Sequence, residues 1–340
     1  MSFPLFMKKL LLVALLALPF VAAGGELVLT GAGASFPQPV YTRWFERYSR
    51  VDASVRFDYT GSGSFAGRDL ILHGAVDFGA SDLAISDAEF AKSPRTIWQI
   101  PTVLSAVAIC HNLKGYPNLR IDAPTLAAIY LGKITHWNDP ALAALNPSLT
   151  LPDRPIVPVH LTESGTLTDI FSNWLCAASP EWKAKNGGKI SLDWPVGVDG
   201  VGNAGAIKVL RETPNSIGYL ELSVAKRSGV RLLAVKNPAG QFVFPSPATV
   251  AEAAATYPVP DDFRFLLLNA SGEQAYPIGI VTWLMIDAHQ ADPAKGRKLV
   301  EFLKWVYKGD GEKLATTLGF VPLPENVRKQ VLARLHQIKF

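Results

Sequence analysis

The stretch "LVLTGAGASFPQPVYTRWFERYSR", residues 27–50, joins a short apolar run, a Gly-rich turn and an amphipathic segment. The apolar run predicts a strand over residues 27–30, and the turn carries a hydroxyl group at Ser35. In the amphipathic segment, large apolar side chains recur with the helical period of 3.6 residues, at Val40, Tyr41, Trp44, Phe45 and Tyr48. The stretch therefore predicts a strand–turn–helix unit, the repeating unit of α/β folds.

The same alternation continues along the 340-residue chain, which is long enough for two domains. Further strands are predicted at residues 55–59, 75–78, 105–110, 156–159, 217–219 and 278–286. Further amphipathic helices are predicted over residues 166–178, around 299–306 and over 324–335. The Pro- and Ala-rich residues 237–262 are interpreted as a surface loop that carries a short helix from Thr249.

The first 23 residues have the layout of a signal peptide. Lys8 and Lys9 precede an apolar run over residues 10–20, and small residues that end at Ala23 follow it. The run is shorter than the ~20 apolar residues of a membrane span. We therefore expect residues 1–23 to be removed near Ala23 and the mature chain to be periplasmic.

Composition excludes several functions. Removal of Lys8 and Lys9 lowers the formal net charge from +4 to +2, which does not predict a nucleic-acid partner. The six histidines lack metal-ligand spacing, so a zinc site is not predicted. No G-x-S-x-G nucleophile motif occurs, and although a catalytic carboxylate pair stays open, no spacing points to one. Cys110 and Cys176 are compatible with a disulfide in an oxidising compartment or with two buried free thiols.

Three segments share a turn of small residues with a hydroxyl group, followed at once by an amphipathic helix: residues 31–41, 59–71 and 162–171. Unpaired N–H groups and the partial positive charge of a helix N-terminus form a ready anion site. Taken singly, each segment favours ordinary N-caps, as in a capping box of Thr166 with Asp169. Taken together, the three segments favour a shared pocket.

Asp82 lies in a turn of small residues after the strand predicted at 75–78. An exposed turn residue is one interpretation. Inside an anion pocket, an acceptor-only carboxylate selects a ligand that carries a proton, such as monohydrogen phosphate, over sulfate. The segment "GSGSFA", residues 61–66, also fits a dinucleotide-binding fingerprint, but export of the chain argues against that function.

Read in chain order, the segments resemble the ligand-binding segments of periplasmic phosphate-binding proteins, the receptors of phosphate ABC importers. They are "LTGAGASFPQPVY", "YTGSGSFAG", "VDFGASD" and "SGT", continued by "IYLGKITHWNDPALAALNP", "WPVGVDGVGNAG", "SIGYLELSVA", "YPIGIVTWLMI" and "LPENVRKQVLARL". The resemblance implies an α/β, two-lobed group II periplasmic solute-binding fold with a hinge and an interlobe ligand cleft. Lobe 1 is expected to comprise residues 24–107 plus 280–340, and lobe 2 residues 108–279.

The resemblance also implies a function. The chain would be a receptor, not an enzyme, that captures inorganic phosphate and delivers it to ABC importer permease subunits in the inner membrane, as a monomer without a cofactor. By matching position, the ligand-binding residues would be Ser35, Phe36, Ser64, Asp82, Ser164, Gly165 and Thr166. A hydroxyl and backbone amides would donate from the first segment, and Asp82 would accept the proton of the ligand.

One segment departs from the family. Where the family pattern is like R-x-D-G-S-G-T, this chain has "HLTESGT", residues 160–166, so His160 replaces the Arg and Thr162 its orienting Asp. In one hypothesis phosphate is still bound, and affinity weakens as the pH rises through the pKa of His160, which joins the ligand-binding residues. Arg68, one helical turn beyond Ser64, then either compensates the lost charge or is merely exposed.

In a second hypothesis, the ligand is another oxyanion or a phosphorylated small molecule, because Asp82 and Glu163 bring negative charge to the pocket. A different class, an exported phosphate-ester hydrolase or an adhesion protein on the same fold, is a further alternative.

Overall fold

The computed structural model describes residues 26–162, 165–187, 192 and 194–340. The strands are β1 (Leu27–Gly33), β2 (Val55–Thr60), β3 (Phe78–Ser81), β4 (Ile97–His111), β5 (Arg120–Ile121), β6 (Val157–Leu161), β7 (Val198–Gly200), β8 (Ser216–Glu221), β9 (Arg231–Leu232), β10 (Ala234–Lys236), β11 (Phe242–Val243), β12 (Gly279–Asp287) and β13 (Val321–Pro322). The helices are α1 (Gln38–Tyr48), α2 (Ser64–Leu72), α3 (Asp87–Phe90), α4 (Ala123–Tyr130), α5 (Pro140–Leu145), α6 (Thr166–Ala178), α7 (Pro180–Asn186), α8 (Gly202–Glu212), α9 (Leu222–Ser228), α10 (Pro247–Thr256), α11 (Pro293–Tyr307), α12 (Asp310–Thr317) and α13 (Glu325–Leu335).

The main sheet has the strand order β2-β1-β3-β12-β4-β8-β6-β7, with β9 and β13 added on β4. Strands β2, β1 and β3 are parallel to one another, and so are β8, β6 and β7. Between these two parallel groups, β12 and β4 run antiparallel to their neighbours. The fold is therefore α/β with two parallel units, one in each lobe.

Strand β4 passes from one lobe into the other. Its first part pairs with β12 as far as Ala106, opposite Gly279, and its last part pairs with β8 from Val107, opposite Glu221. A strand of 15 residues spans roughly 50 Å, enough to cross both lobes. This change of partner lies beside the predicted lobe boundaries at residues 107 and 279. Helix α10, which the prediction assigns to lobe 2, nevertheless contacts β12, β13 and α13, which it assigns mainly to lobe 1. The residue bounds of the lobes stay a prediction.

The predicted helix faces are confirmed. In α1 the buried residues are Val40, Tyr41, Trp44, Phe45 and Tyr48. Phe45 stacks on Phe57 of β2 with ring centroids 4.6 Å apart, and Phe302 of α11 packs on the same ring at 4.6 Å. Because burial of each such side chain contributes about 1.5–3 kcal/mol, this aromatic cluster fixes α1 and α11 on the β1–β3 unit.

Two predictions need correction. The strand predicted at 75–78 lies later in the chain, since β3 comprises Phe78–Ser81, a short buried strand of mostly small residues. Asp77, just before it, is held by Thr30 and Lys295 instead of joining the strand. The disulfide alternative is also wrong in this structure, where Cys110 of β4 and Cys176 of α6 are both free thiols.

The predicted signal peptide lies outside the described residues. None of the helices in the described part of the chain is both long and apolar enough to span a membrane. Within the same residues, no cluster of three His, Cys, Asp or Glu side chains has the arrangement of a metal site.

Candidate functional site

The first wall of the candidate site is formed where β1, β2 and β3 end. Ser35 and Phe36 follow β1, Ser64 begins the helix after β2, and Asp82 directly follows β3. Because these three strands are parallel neighbours, their carboxyl ends meet at one edge of the sheet. Residues spread over nearly 50 positions of the sequence are thereby brought together.

The opposite wall repeats this arrangement. Thr166 follows β6, Gly202 follows β7, and Glu221 ends β8, again at the carboxyl ends of parallel strands. A cleft of about 680 Å³ separates the two walls and is lined by residues from both. One hydrogen bond joins the two walls directly, from the Thr166 hydroxyl to Ser64 Oγ at 3.3 Å.

The hydroxyl groups in the cleft do not cap their helices, which corrects the N-cap interpretation. The N-cap residues of α1, α2 and α6 are Pro37, Gly63 and Gly165, and none of the three makes a side-chain cap. Thr166 and Asp169 therefore form no capping box. Since the first-turn N–H groups of a helix have no intrahelical acceptor, the N-termini of α2 and α6 bring unpaired donors to the two cleft walls. At α1, by contrast, the N–H groups of Gln38 and Val40 donate to backbone carbonyl oxygens.

Glycines allow α2 to begin this close to the strands. Gly63 has a φ of +93°, a conformation that L side chains rarely adopt. A Cβ atom on Gly67 would lie 2.5 Å from Gly33 Cα and closer still to the carbonyl oxygen of Ala80. The helix thus rests directly on the backbone of β1 and β3, and this close packing places Ser64 in the cleft.

Asp82 is the centre of the hydrogen-bond network in the first wall. Its Oδ1 accepts a hydrogen bond of 2.5 Å from the Thr282 hydroxyl of β12, and its backbone N–H donates to Ser64 Oγ at 3.0 Å. Its Oδ2 lies 3.5 Å from Ser64 Oγ and has room for a further donor. Burial raises the pKa of Asp82 to about 7, although the hydrogen bonds from Thr282 and Ser64 lower it.

Glu221 brings a second buried carboxylate to the cleft lining. It accepts hydrogen bonds from the Ser105 hydroxyl, from the N–H and hydroxyl of Ser223, and from the N–H of Val224. The hydrogen bonds from these protein groups therefore satisfy both of its oxygens. The negative charge of Glu221 also contributes to raising the pKa of Asp82.

Comparisons with known proteins agree with this geometry. A family model described as a PBP superfamily domain matches residues 21–310. A phosphate-binding protein PstS of Xylella fastidiosa is 37% identical over 309 residues, which cover 90% of this chain and 84% of the relative. The PstS of Pasteurella multocida is 33% identical over 331 residues, covering 96% and 95%. The chain belongs to the PstS family of phosphate-binding proteins.

Solved structures show the same fold. A high affinity periplasmic phosphate-binding protein (PfluDING), solved with bound phosphate, superposes with a TM-score of 0.67 at 22% identity, covering 90% of this chain and 93% of that one. An ABC-type phosphate transport receptor from Vibrio cholerae gives a TM-score of 0.61 at 16% identity, covering 87% and 100%. The two-lobed architecture expected from the sequence is confirmed.

The structure brings together most of the predicted PstS ligand residues. Those that line the cleft are Ser35, Phe36, Ser64, Asp82, Gly165 and Thr166. Ser164, like Glu163, lies outside the described residues. Sequence reasoning missed Thr282 and Glu221 as neighbours of Asp82. Glu221 lies in a segment already similar to the family, "SIGYLELSVA", and follows a predicted strand as Asp82 does.

His160, the residue that departs from the PstS pattern, is not among the cleft-lining residues. Leu161, its neighbour in β6, does line the cleft, and successive side chains of a strand point to opposite faces. His160 is 6% exposed and stacks on Trp194 with ring centroids 4.6 Å apart. Its Nδ1 lies 3.1 Å from Oδ1 of Asp199, its partner in β7, without hydrogen-bond geometry. Burial lowers the pKa of His160, and Asp199 opposes that shift.

Arg68 is not an exposed helical residue, which corrects that interpretation. It is 7% exposed, donates to the carbonyl oxygen of Ala84 at 3.0 Å, and pairs with Glu89 at 3.1 Å. Among the cleft-lining residues in the described ranges, the single Lys or Arg is Arg227, which is exposed. The cation that the family pattern places in lobe 2 has no equivalent at that position.

Proposed function

We propose that the protein is an exported receptor that captures inorganic phosphate in the cleft and passes it to an ABC importer. The observation that carries the proposal is the position of Asp82, a buried carboxylate surrounded by hydroxyl groups and helix N-termini from both walls. An anion site with a carboxylate at its centre suits a ligand that brings its own proton.

The chemistry of selection follows from hydrogen-bond pairing. Monohydrogen phosphate donates its proton to Asp82 Oδ2, while Ser64, Thr166 and the amides of the α1 turn donate to its other oxygens. With a pKa of about 7, Asp82 is about half ionised at neutral pH in the empty cleft, and a ligand that donates a proton favours the ionised form. Sulfate has no proton at that pH and would face the carboxylate with a bare oxygen, so it is rejected.

Delivery depends on the two lobes. Because residues from both walls contact the ligand, binding favours the closed arrangement, and the importer permease recognises this closed form. In this proposal the chain acts as a periplasmic monomer after cleavage near Ala23, with lobes of residues 24–107 plus 280–340 and residues 108–279. Ser164 and Gly165 contribute donors from the second lobe, and no chemistry is performed on the ligand.

A second candidate ligand is a phosphorylated small molecule. The cleft volume of about 680 Å³ lies within the range of pockets that hold much larger ligands than phosphate. Apolar side chains of Phe65, Leu167 and Leu318 form part of its lining and offer a surface for an organic substituent. This observation favours a monoester whose phosphate group uses the same donors.

Calorimetric titration of the unfolded, ligand-stripped and refolded protein tests the proposal. Phosphate and arsenate should bind at micromolar concentration or below, while sulfate should give no heat, and Ser64→Ala should weaken phosphate at least tenfold. Ser49→Ala, at the far end of α1, is the matched control. No phosphate heat at micromolar concentrations would contradict the proposal, and tighter binding of glycerol phosphate than of phosphate would favour the second candidate.

A further inference from the structure

Helices α2 and α6 begin opposite each other across the cleft, one in each wall. Their first residues, Ser64 and Thr166, are joined by the hydrogen bond of 3.3 Å between their hydroxyl groups. One turn further along, α2 carries Arg68 and α6 carries Asp169. A cation and an anion from different lobes thus lie just behind the site proposed for the ligand.

Arg68 has unused hydrogen-bonding capacity in this structure. Two of its guanidinium nitrogens bond to the Ala84 carbonyl and to Glu89, while its buried Nε has no hydrogen-bond partner. Its guanidinium also lies 4.8 Å from the centre of the Phe65 ring, which lines the cleft. A buried N–H of a charged group without an acceptor is costly, so an additional acceptor would be favourable here.

Asp169, in the opposite wall, is a carboxylate whose charge acts on Arg68. It is partly buried and receives a hydrogen bond of 3.2 Å from the Asn173 amide. Burial raises the pKa of Asp169, and the charge of Arg68 opposes that shift. The pKa of Arg68 is lowered by burial, and Glu89 and Asp169 both oppose that effect. The two charges therefore interact electrostatically, although no oxygen of Asp169 lies within 4 Å of a guanidinium nitrogen of Arg68.

We propose that Arg68 and Asp169 are a positioning pair that forms an ion pair across the cleft when the lobes close. The inference rests on the proposed function, since closure occurs over the bound anion. The same guanidinium holds Ala84, two residues after Asp82, and so couples closure to the position of the ligand acceptor. The family pattern has an Arg and its orienting Asp where this chain has His160 and Thr162. Arg68 and Asp169 would supply an Arg–carboxylate pair of another kind, with one residue in each lobe.

Calorimetry with Arg68→Met, Asp169→Asn and the double variant tests the pair. Each single variant should weaken phosphate binding about tenfold, and the double variant should be no weaker than the worse single variant, because the two residues act together. Small-angle scattering should show that phosphate compacts these variants less than the wild type. Arg43→Met is the matched control, because Arg43 is an exposed Arg of the same lobe that pairs with Glu46.

The outcomes separate this inference from the proposed function. If the wild type binds phosphate and Asp169→Asn binds it equally well with equal compaction, the pair plays no part in closure. If the effects of the two variants multiply, the residues act independently and the inference is equally overturned. If the wild type binds no phosphate, the proposed function fails and this inference fails with it. Asp169 is only partly buried, so its variant remains informative even if Arg68→Met does not fold.

Discussion

Replacement of Asp82 by Asn should make the unliganded protein more stable at pH 8 while abolishing phosphate binding. The Asn oxygen still accepts from the Thr282 hydroxyl, and the Asn amide can donate to Ser64 Oγ, so the local geometry is retained. What disappears is the free-energy cost of an ionised carboxylate in a buried site. Ligand capture thus depends on a residue that destabilises the empty receptor.

The magnitude follows from proton linkage. The pKa of Asp82 is about 7 in the folded chain against 3.8 for an unperturbed Asp. The folded state therefore binds the proton more tightly, and stability falls as the pH rises from about 4 to about 7. Three pKa units at about 1.4 kcal/mol each give a cost of about 4 kcal/mol at pH 8, which shrinks to about 1 kcal/mol at pH 4.5.

The assay is urea unfolding in phosphate-free buffer at pH 4.5 and pH 8, followed by fluorescence of the eight tryptophans. The gain in stability of Asp82→Asn over the wild type should be about 3 kcal/mol larger at pH 8 than at pH 4.5. Asp58→Asn, an exposed position in β2, is the matched control and should show no such difference. A gain independent of pH, or a loss of stability at pH 8, would refute the reasoning.

Three further changes test other contacts. Thr282→Val removes the donor to Asp82 and should weaken phosphate binding about tenfold by calorimetry; unchanged affinity would separate Thr282 from the site. His160→Gln should change the phosphate Kd less than threefold at pH 5.5–8.5 but lower the melting temperature, because His160 stacks on Trp194 away from the cleft; a tenfold change in Kd would contradict its placement. Gly67→Ala should destabilise the fold by about 2 kcal/mol in urea unfolding, because its Cβ would overlap the β1 and β3 backbone; wild-type stability would disprove that contact.

The fold was predictable where side-chain period and burial agree. The buried face of α1 contains the five residues that the 3.6-residue period selects, because a single apolar stripe has only one way to pack on a sheet. Strand β3 was displaced in the prediction because three of its four residues, Gly79, Ala80 and Ser81, have little strand propensity of their own. Close packing beneath α2, and not local preference, makes them a strand.

The site was predictable only in part. The turns after predicted strands indicated Ser64, Asp82 and Thr166 only when taken together, because each hydroxyl group alone is equally typical of an ordinary N-cap. Thr282 lies inside an apolar strand, where nothing in the sequence distinguishes its hydroxyl from a core residue. His160 replaces a ligand-binding Arg in the family pattern, yet a one-residue alternation in β6 turns its ring toward Asp199, which pattern matching does not reveal.

The charges of the cleft explain how an anion is held without the family cation. Asp82 and Glu221 are buried acids among the described lining residues, and Arg227 is the single cation there and is exposed. The N-termini of α2 and α6 contribute about half an elementary charge each, together roughly enough to offset one carboxylate. Glu221 accepts four hydrogen bonds but keeps its charge, so the cleft has no net positive charge that would attract the ligand. Selection between anions then depends on whether each donor of the ligand finds an acceptor in the cleft. The ionisation of Asp82, more than any cation, therefore determines which anion binds.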